Sequence, residues 1–171
     1  MQGSVDEDLK EVTLQLKCKH QFQFAGYYAA IKKYFYHDVW LKVILKEPDP
    51  GSNAVSRVVY GKAEFGVSGS DLILRRSQGT HVVVLGEIYH HLPLALVVKS
   101  GINRLEQLYG KRLALETHSA EIVAMFKQDG LDESQIKLTE YMFLTEDLLK
   151  RKIDALSIYT SDEIFDLRQT H

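Results

Sequence analysis

The stretch Val12–Leu45, VTLQLKCKHQFQFAGYYAAIKKYFYHDVWLKVIL, indicates the fold class of this chain. Its opening, Val12–Cys18, alternates apolar and polar side chains, and this period of two is typical of a β-strand. A helical pattern follows over Ala25–Phe35, and a second strand is predicted at Val39–Leu45. Strand, helix and strand in succession predict a βαβ unit, in which the two strands pair in parallel.

The alternation of strands and helices continues along the rest of the chain. Further strands are predicted at Ala63–Val67, His81–Ile88, Leu94–Lys99, Lys111–Glu116, Gln135–Phe143 and Ile153–Tyr159. Between them, helices are predicted over residues 52–60, 70–79, 102–110, 118–130 and 145–152. Leu94–Lys99 is a near-continuous apolar run, which predicts a strand covered on both faces. The order indicates an α/β fold with largely parallel sheets, and a break near Ser100–Gly101 suggests two lobes.

Composition excludes several classes of protein. The chain has 171 residues and a net charge of −2, which argues against nucleic acid as a partner because phosphate binding needs a concentrated basic face. Cys18 is the single cysteine, so neither an intrachain disulfide nor a thiolate zinc cluster can form. No apolar run approaches the roughly 20 residues of a membrane span. The acidic start, MQGSVDEDLKE, does not have the pattern of a signal peptide.

Three patterns that could indicate catalysis or metal binding are incomplete. Gly66–Ser70, GVSGS, lacks the final glycine of a nucleophile elbow. Gly110–Lys111 lacks both the upstream glycine and the following Ser or Thr of a phosphate-binding loop. His90 and His91 are adjacent, and on an extended segment they point to opposite faces, so they could not easily share one ion. We therefore predict no catalytic residue, no metal site and no cofactor.

Polar and aromatic side chains follow the predicted strands at the points where the chain turns into a helix. The carboxyl ends of parallel strands meet at one edge of a sheet, and small ligands bind there beside helix N-termini. Each corner alone is also typical of helix capping, but five corners on one edge favour a ligand-binding cleft. The corners are His20–Phe24, Ser68–Asp71, Tyr89–His91, Glu116–Ser119 and Tyr159–Glu163.

Four segments carry a resemblance to a known family. They are LQLKCKHQFQFAGYYAAIKKYFY (14–36), GKAEFGVSGSDLILRRSQGTHVVVLGEIYHHLPLALVVK (61–99), LYGKRLALE (108–116) and KIDALSIYTSDEIFDL (152–167). These segments resemble the substrate-binding proteins of the thiamine-pyrimidine and alkylsulfonate type. That family includes transporter binding proteins, sensor domains fused to histidine kinases or diguanylate cyclases, and a fungal branch that makes the thiamine pyrimidine.

The resemblance implies a two-lobed type II periplasmic-binding-protein fold. Lobe one would span residues 12–99 and lobe two residues 100–158, and residues 159–171 would return toward lobe one. Because relatives continue beyond this point, we expect lobe one to be incomplete at the C-terminus. An uncovered apolar surface, paired in a homo-oligomer, would then be expected.

The resemblance also implies ligand-binding residues. In lobe one they are Gln21, Phe22, Gln23, Phe24, Tyr27, Ser68, Ser70 and Asp71, and in the second half they are Glu116, Thr117, Ser119, Tyr159 and Glu163. Tyr89, at its own corner, is a further candidate for ring stacking. The sequence departs from the family at Asp162, which replaces an Asn, and at Cys18, where relatives commonly have Trp. The usual Gly-Tyr-Tyr and Gly-Leu after the first helix are replaced by YFYHDVWLKV (34–43).

We expect non-catalytic capture of a small polar or heteroaromatic ligand that resembles a thiamine-pyrimidine precursor. The expected location is periplasmic or otherwise extracytoplasmic. The expected partner is a membrane permease, or a fused or partner signalling kinase or cyclase, and the sequence leaves transport and sensing open. Two alternatives remain: a degenerate scaffold that binds no small molecule, and a pyrimidine-synthesis enzyme. The enzyme would need a reactive His where Phe24 stands and a cysteine-rich segment.

Overall fold

The computed structural model describes residues 9–49, 51–116, 120–141, 145–161 and 163–169. The chain divides into two compact units, Met1–Val84 (unit 1) and Leu85–His171 (unit 2). This division falls earlier than the lobe boundary we placed at residue 99. The strand at Leu94–Val98 lies in unit 2 because it pairs with Ala155–Tyr159. The segment 159–171, expected to return toward lobe one, also lies in unit 2.

In its described residues, unit 1 consists of three parallel strands that alternate with three helices. The elements are β1 (Lys10–Gln15), α1 (Ala25–Lys32), β2 (Leu41–Lys46), α2 (Ala54–Val59), β3 (Phe65–Gly66) and α3 (Asp71–Ser77). The strand order is β2-β1-β3, and Leu14 of β1 lies beside Leu45 on one side and Phe65 on the other. The predicted βαβ unit is therefore present.

The core of unit 1 lies against β1. Val12, Leu14 and Leu16 are buried together with Val55 from α2. Gly66 allows α2 to approach β3 closely, because a Cβ at that position would lie 3.2 Å from the backbone oxygen of Ala54. Helix α2 begins after Asn53, at Ala54, two residues later than the predicted start at residue 52. The Asn53 side chain accepts a hydrogen bond from the Ser56 backbone N–H at 2.8 Å, which satisfies an otherwise free donor.

Unit 2 is a second α/β unit with a mixed sheet. Its elements are β4 (Leu94–Val98), β5 (Arg112–Glu116), α4 (Ala120–Gln128), β6 (Lys137–Tyr141), α5 (Thr145–Leu149), β7 (Ala155–Tyr159) and α6 (Glu163–Gln169). The strand order is β4-β7-β5-β6, with β5 parallel to both neighbours and β4 antiparallel to β7. The predicted helix at residues 102–110 is reduced to a short 3₁₀ turn at Leu105–Leu108. The α/β class with largely parallel sheets is confirmed.

The strand predicted at residues 81–88 is wrong, and the one predicted at Leu94–Lys99 is present but is not covered on both faces as expected. Both differences have one cause. The segment 81–88 forms no strand, and its Val83 and Leu85 side chains are 81% and 77% exposed. The run Leu94–Val98 does form a strand, but all five of its residues are only partly buried because β4 lies at an edge of the described sheet. An apolar run predicts a buried strand only where a neighbouring strand and covering layers are available.

Helix α1 ends at Lys32, before the predicted end at Phe35, and is followed by a turn that contains two unusual residues. Tyr34 and Trp40 have φ values of 62° and 59°, in the left-handed region that favours glycine. Both positions fall in the segment where the resembling family has Gly-Tyr-Tyr and Gly-Leu. Each bulky residue held in this conformation costs about 1 kcal/mol or more.

In unit 2, the carboxylate of Asp154 connects three strands through hydrogen bonds. The Asp154 carboxylate accepts hydrogen bonds from Lys99 Nζ at 2.7 Å and from Arg112 Nε at 3.0 Å. It also accepts the Arg112 backbone N–H at 3.0 Å. Asp154 thereby links the end of β4 to the starts of β5 and β7. The hydrogen bond from Arg112, followed by that from Lys99, holds the pKa of this carboxyl well below its usual range.

None of the described helices is long and apolar enough to cross a membrane.

We predict that Asp154→Asn lowers the free energy of unfolding at pH 7 by about 1.5–3 kcal/mol, since it removes charge-assisted hydrogen bonds. The folded-state pKa is depressed, so this stabilisation is present above the unfolded-state pKa of about 3.9 and is lost as the pH falls through the folded value. Urea titrations from pH 7 into acid should show the difference from wild type shrinking only in strong acid. Asp129→Asn, at an exposed position, is the matched control; equal losses in both variants would contradict the assignment.

Candidate functional site

The carboxyl ends of the three strands of unit 1 lie at one edge of its sheet. The backbone N–H of Leu16 donates to Lys46 O at 2.8 Å, and that of Val67 donates to Gln15 O at 2.8 Å. These bonds continue the pairing past the strand ends. The segment 16–24 after β1, which we name the edge loop, therefore shares this edge with Glu47 after β2 and Ser68 after β3.

Two glutamines and the cysteine of the edge loop form a cluster, which we name the amide cluster. Gln23 Nε2 donates to Gln21 Oε1 at 2.5 Å and to Cys18 Sγ at 3.2 Å. The Cys18 thiol donates to Gln21 Oε1 at 3.4 Å. Cys18 is buried, whereas Gln21 and Gln23 are half-buried. Among the described residues, the Gln21 amide N–H groups and the Gln23 carbonyl oxygen have no partner, so the cluster offers both donors and an acceptor.

The predicted aromatic residues of this edge differ in exposure. Phe22 is 73% exposed, Tyr27 is half-buried, and Phe24 is 1% exposed. A 3₁₀ turn at Phe22–Phe24 separates the two phenylalanines and directs Phe24 into the core of unit 1. Phe22 is therefore the phenylalanine that a ligand could stack on, and Phe24 serves packing.

His20 joins the edge loop to its neighbours on both sides. Its backbone N–H donates to Glu47 Oε1 at 2.7 Å, which ties the loop to the end of β2. Its ring lies edge-on to Tyr28 of α1 with the centroids 5.6 Å apart, and the Tyr28 hydroxyl bonds to His20 Nδ1. Neither Glu47 nor Tyr28 was among the predicted site residues. The position of Glu47 immediately after a parallel strand was the signal that could have found it.

Gln15 is a polar side chain buried at the same edge. It is 1% exposed, and its Nε2 donates to Lys46 O at 2.8 Å. Its Oε1 is buried and has no hydrogen-bond partner among the described residues. Buried acceptors are normally satisfied by protein, water or ligand donors. Gln15 was also not predicted as a site residue.

The corner after β3 is neutralised by an ion pair. Ser68 Oγ donates to Asp71 Oδ1 at 3.2 Å, and Arg75 Nε donates to Asp71 Oδ2 at 2.7 Å. Ser70 is the N-cap residue of α3, but its side chain makes no capping hydrogen bond. The carboxylate of Asp71 is thus occupied by a cation of its own helix, so this corner presents polar groups without an unmatched charge.

Two of the predicted residues of unit 2, Glu116 and Tyr159, are the last residues of strands β5 and β7. Glu116 ends β5 beside Tyr141 of β6, and Tyr159 ends β7 with only 7% of its surface exposed. Tyr89 is 38% exposed on an irregular segment, because the strand predicted to precede it is absent. Glu163 is the first residue of α6. Thr117, Ser119 and Asp162 lie outside the described residues.

Comparison with sequences of known proteins identifies relatives. A family model described as "NMT1/THI5 like" matches residues 21–171. The riboflavin-binding protein RibY of Chloroflexus aurantiacus is 26% identical over 170 residues, which cover 94% of this chain and 48% of RibY. The chain therefore spans about half the length of this curated relative.

Solved structures show the same fold at low sequence identity. A periplasmic binding protein of Salmonella typhimurium with high arginine specificity superposes with a TM-score of 0.68 at 15% identity, covering 94% of this chain and 74% of its own. An ancestral arginine-binding protein bound to glutamine gives 0.64 at 18% identity, covering 93% and 73%. At such identities the likeness establishes the fold, which is that of type II periplasmic binding proteins. The match of the family model over residues 21–171 shows that the chain belongs to the NMT1/THI5-like family.

Proposed function

We propose that the chain binds a small neutral heteroaromatic molecule of the thiamine-pyrimidine kind in a periplasmic or otherwise extracytoplasmic space. The amide cluster at the carboxyl edge of the unit 1 sheet is the observation that carries this proposal. Family membership supports a solute-binding role. A relative named for binding riboflavin, which is also heteroaromatic, supports the choice of ligand class.

The chemistry of the amide cluster suits a ring with both donors and acceptors on its edge. Within one hydrogen-bonded pair, Gln21 offers N–H groups and Gln23 a carbonyl oxygen that have no partner in the described part of the chain. Because each amide is already held by the other and by Cys18, little side-chain entropy remains to be lost on binding. A neutral hydrogen bond contributes about 0.5–1.5 kcal/mol, and stacking on exposed Phe22 about 1 kcal/mol.

The charges at this edge favour a neutral ligand over a free amino acid. An amino acid carries an ammonium and a carboxylate, and each needs an opposite charge when it is desolvated. Asp71 is already paired with Arg75, and Glu47 accepts the backbone N–H of His20. We therefore expect arginine, which fold neighbours bind, to be a poor ligand here.

We further propose that the bound ligand is delivered to a membrane permease, or is sensed by a fused or partner kinase or cyclase. Both uses start from the same binding step. The periplasmic binding proteins among the fold neighbours support the extracytoplasmic location. Tyr89, Glu116, Thr117, Ser119, Tyr159 and Glu163 stay proposed ligand contacts from unit 2.

A scaffold that binds no small molecule is the second candidate. It is favoured by the burial of Phe24 and Tyr159, two of the rings proposed to meet a ligand. Both readings are tested by one ligand screen, because a scaffold gains no stability from any of the compounds.

We predict that a thermal-shift screen finds stabilisation by hydroxymethylpyrimidine or riboflavin and none by arginine or taurine. Ligand at a hundred times its Kd should add about 2.7 kcal/mol to the free energy of unfolding. Gln21→Ala should weaken the affinity about tenfold, since it removes a donor to the ring. Gln78→Ala, at an exposed glutamine beyond α3, should leave the affinity unchanged. Stabilisation by arginine alone, or by no compound, would refute the proposal.

For unit 2, we predict that Glu163→Ala weakens binding of the compound found in that screen by about ten- to a hundredfold, because a charge-assisted hydrogen bond is lost. Isothermal calorimetry measures the affinity, and the melting temperature of the ligand-free protein should stay nearly constant. Glu106→Ala removes an exposed carboxylate elsewhere in unit 2 and should leave both the affinity and the melting temperature unchanged. A drop of several degrees in the ligand-free protein would instead make Glu163 a structural residue.

A further inference from the structure

The turn that follows α1 exposes large aromatic side chains close together in the sequence. We name residues 32–40 the aromatic turn. Its backbone is compact, because the Asp38 N–H donates to Tyr34 O at 3.0 Å and the Leu41 N–H donates to Tyr36 O at 2.9 Å. Four of its apolar side chains are more than half exposed: Tyr34 (69%), Phe35 (58%), Val39 (61%) and Trp40 (62%). Such a concentration on one turn marks an interaction surface.

The backbone of the aromatic turn supports a functional reading of these side chains. Tyr34 and Trp40 both occupy left-handed φ values, which a glycine would adopt at little cost. Packing of the two side chains does not offset the energy of this backbone conformation, since both are largely exposed. Strained residues of this kind persist where they serve a function.

The charges of the aromatic turn are mainly positive. Lys32 and Lys33 are exposed at its start, and exposed Lys10 adjoins its end through a hydrogen bond from its backbone N–H to Trp40 O at 3.0 Å. Asp38 is the carboxylate within the turn, and exposed Glu11, next to Lys10, pairs with Lys42 at 3.2 Å. His37 lies edge-on to Tyr34 with the ring centroids 6.2 Å apart. A positive turn on a chain with a net charge of −2 is suited to an anionic partner.

The aromatic turn lies at the amino ends of β1 and β2, whereas the edge loop lies at the carboxyl ends of β1, β2 and β3. Docking at the turn therefore leaves the amide cluster accessible. It can also be tested without any knowledge of the small-molecule ligand.

We propose that the aromatic turn docks unit 1 onto the surface of an anionic lipid bilayer. Trp and Tyr side chains favour the bilayer–water interface, where the ring is embedded and its polar atom meets the headgroups. The lysines are attracted to anionic headgroups, and this attraction falls off within a Debye length. A second copy of the chain is a poorer occupant, because it would set Lys32 and Lys33 against like charges.

The test uses Trp40 as its own reporter, since it is the single tryptophan of the chain. The whole chain is mixed with vesicles of phosphatidylglycerol and phosphatidylcholine in equal parts, and separately with phosphatidylcholine alone. The proposal predicts that Trp40 emission moves to shorter wavelength with the anionic vesicles only, and that high salt reverses the shift. No shift, or the same shift with both vesicles, would overturn it.

Two matched double variants separate the turn from general charge effects. Lys32→Gln with Lys33→Gln should lower the partition onto anionic vesicles roughly ten- to thirtyfold. Lys62→Gln with Arg76→Gln removes the same charge from exposed positions elsewhere in unit 1 and should lower it far less. Equal losses in the two variants would overturn the proposal.

The variant Trp40→Gly tests both whether the left-handed conformation of Trp40 destabilises the fold and whether its side chain binds the bilayer. It should raise the melting temperature, because the left-handed conformation is relieved, and it should reduce co-sedimentation with anionic vesicles. A lowered melting temperature would overturn the argument from strain. Sedimentation that shows a dimer held by the turn, with unchanged vesicle binding in this variant, would assign the surface to a second copy instead.

Discussion

Parallel pairing of β1 with both β2 and β3 is the constraint on which the arrangement of unit 1 depends. Leu14 lies beside Leu45 and Phe65 at the same level, so the three strands end together. The edge loop, Glu47 and Ser68 are brought to one edge as a consequence. The return helix α1 necessarily places its far end, and with it the aromatic turn, at the opposite edge. The proposed ligand contacts of unit 1 and the proposed docking surface thus lie at two separate ends of one small sheet.

The fold class could be predicted from the sequence because strand and helix periodicities differ and alternate along the chain. The pairing partners could not. The run at 81–88 has the composition of a buried strand, yet it finds no strand beside it in the described part of the chain, and Val83 and Leu85 stay exposed. The composition of a segment shows that it could form a buried strand, but whether it does so depends on a neighbouring strand with which it can pair.

The sequence indicates which side chains reach the carboxyl edge of the unit 1 sheet better than it indicates which of them are exposed there. Gln21 and Gln23 were predicted because the segment after a parallel strand reaches the carboxyl edge. Phe22 and Phe24 could not be distinguished, since the 3₁₀ turn that exposes one and buries the other leaves no periodic pattern in three residues. Gln15 was missed because alternation along a strand separates two faces but does not tell which of them is covered. The resemblance to binding proteins supplied roles that periodicity alone does not.

Ligand binding through the amide cluster is tested most directly by the side-chain amide signals in a ¹⁵N–¹H correlation spectrum. The signals are assigned by Gln→Ala substitution, and hydroxymethylpyrimidine or riboflavin is titrated into the whole chain. Binding through the cluster predicts that the Gln21 and Gln23 signals move in a saturable way while the Gln78 signal stays in place. Saturable binding that leaves both cluster signals unmoved would contradict binding through the amide cluster.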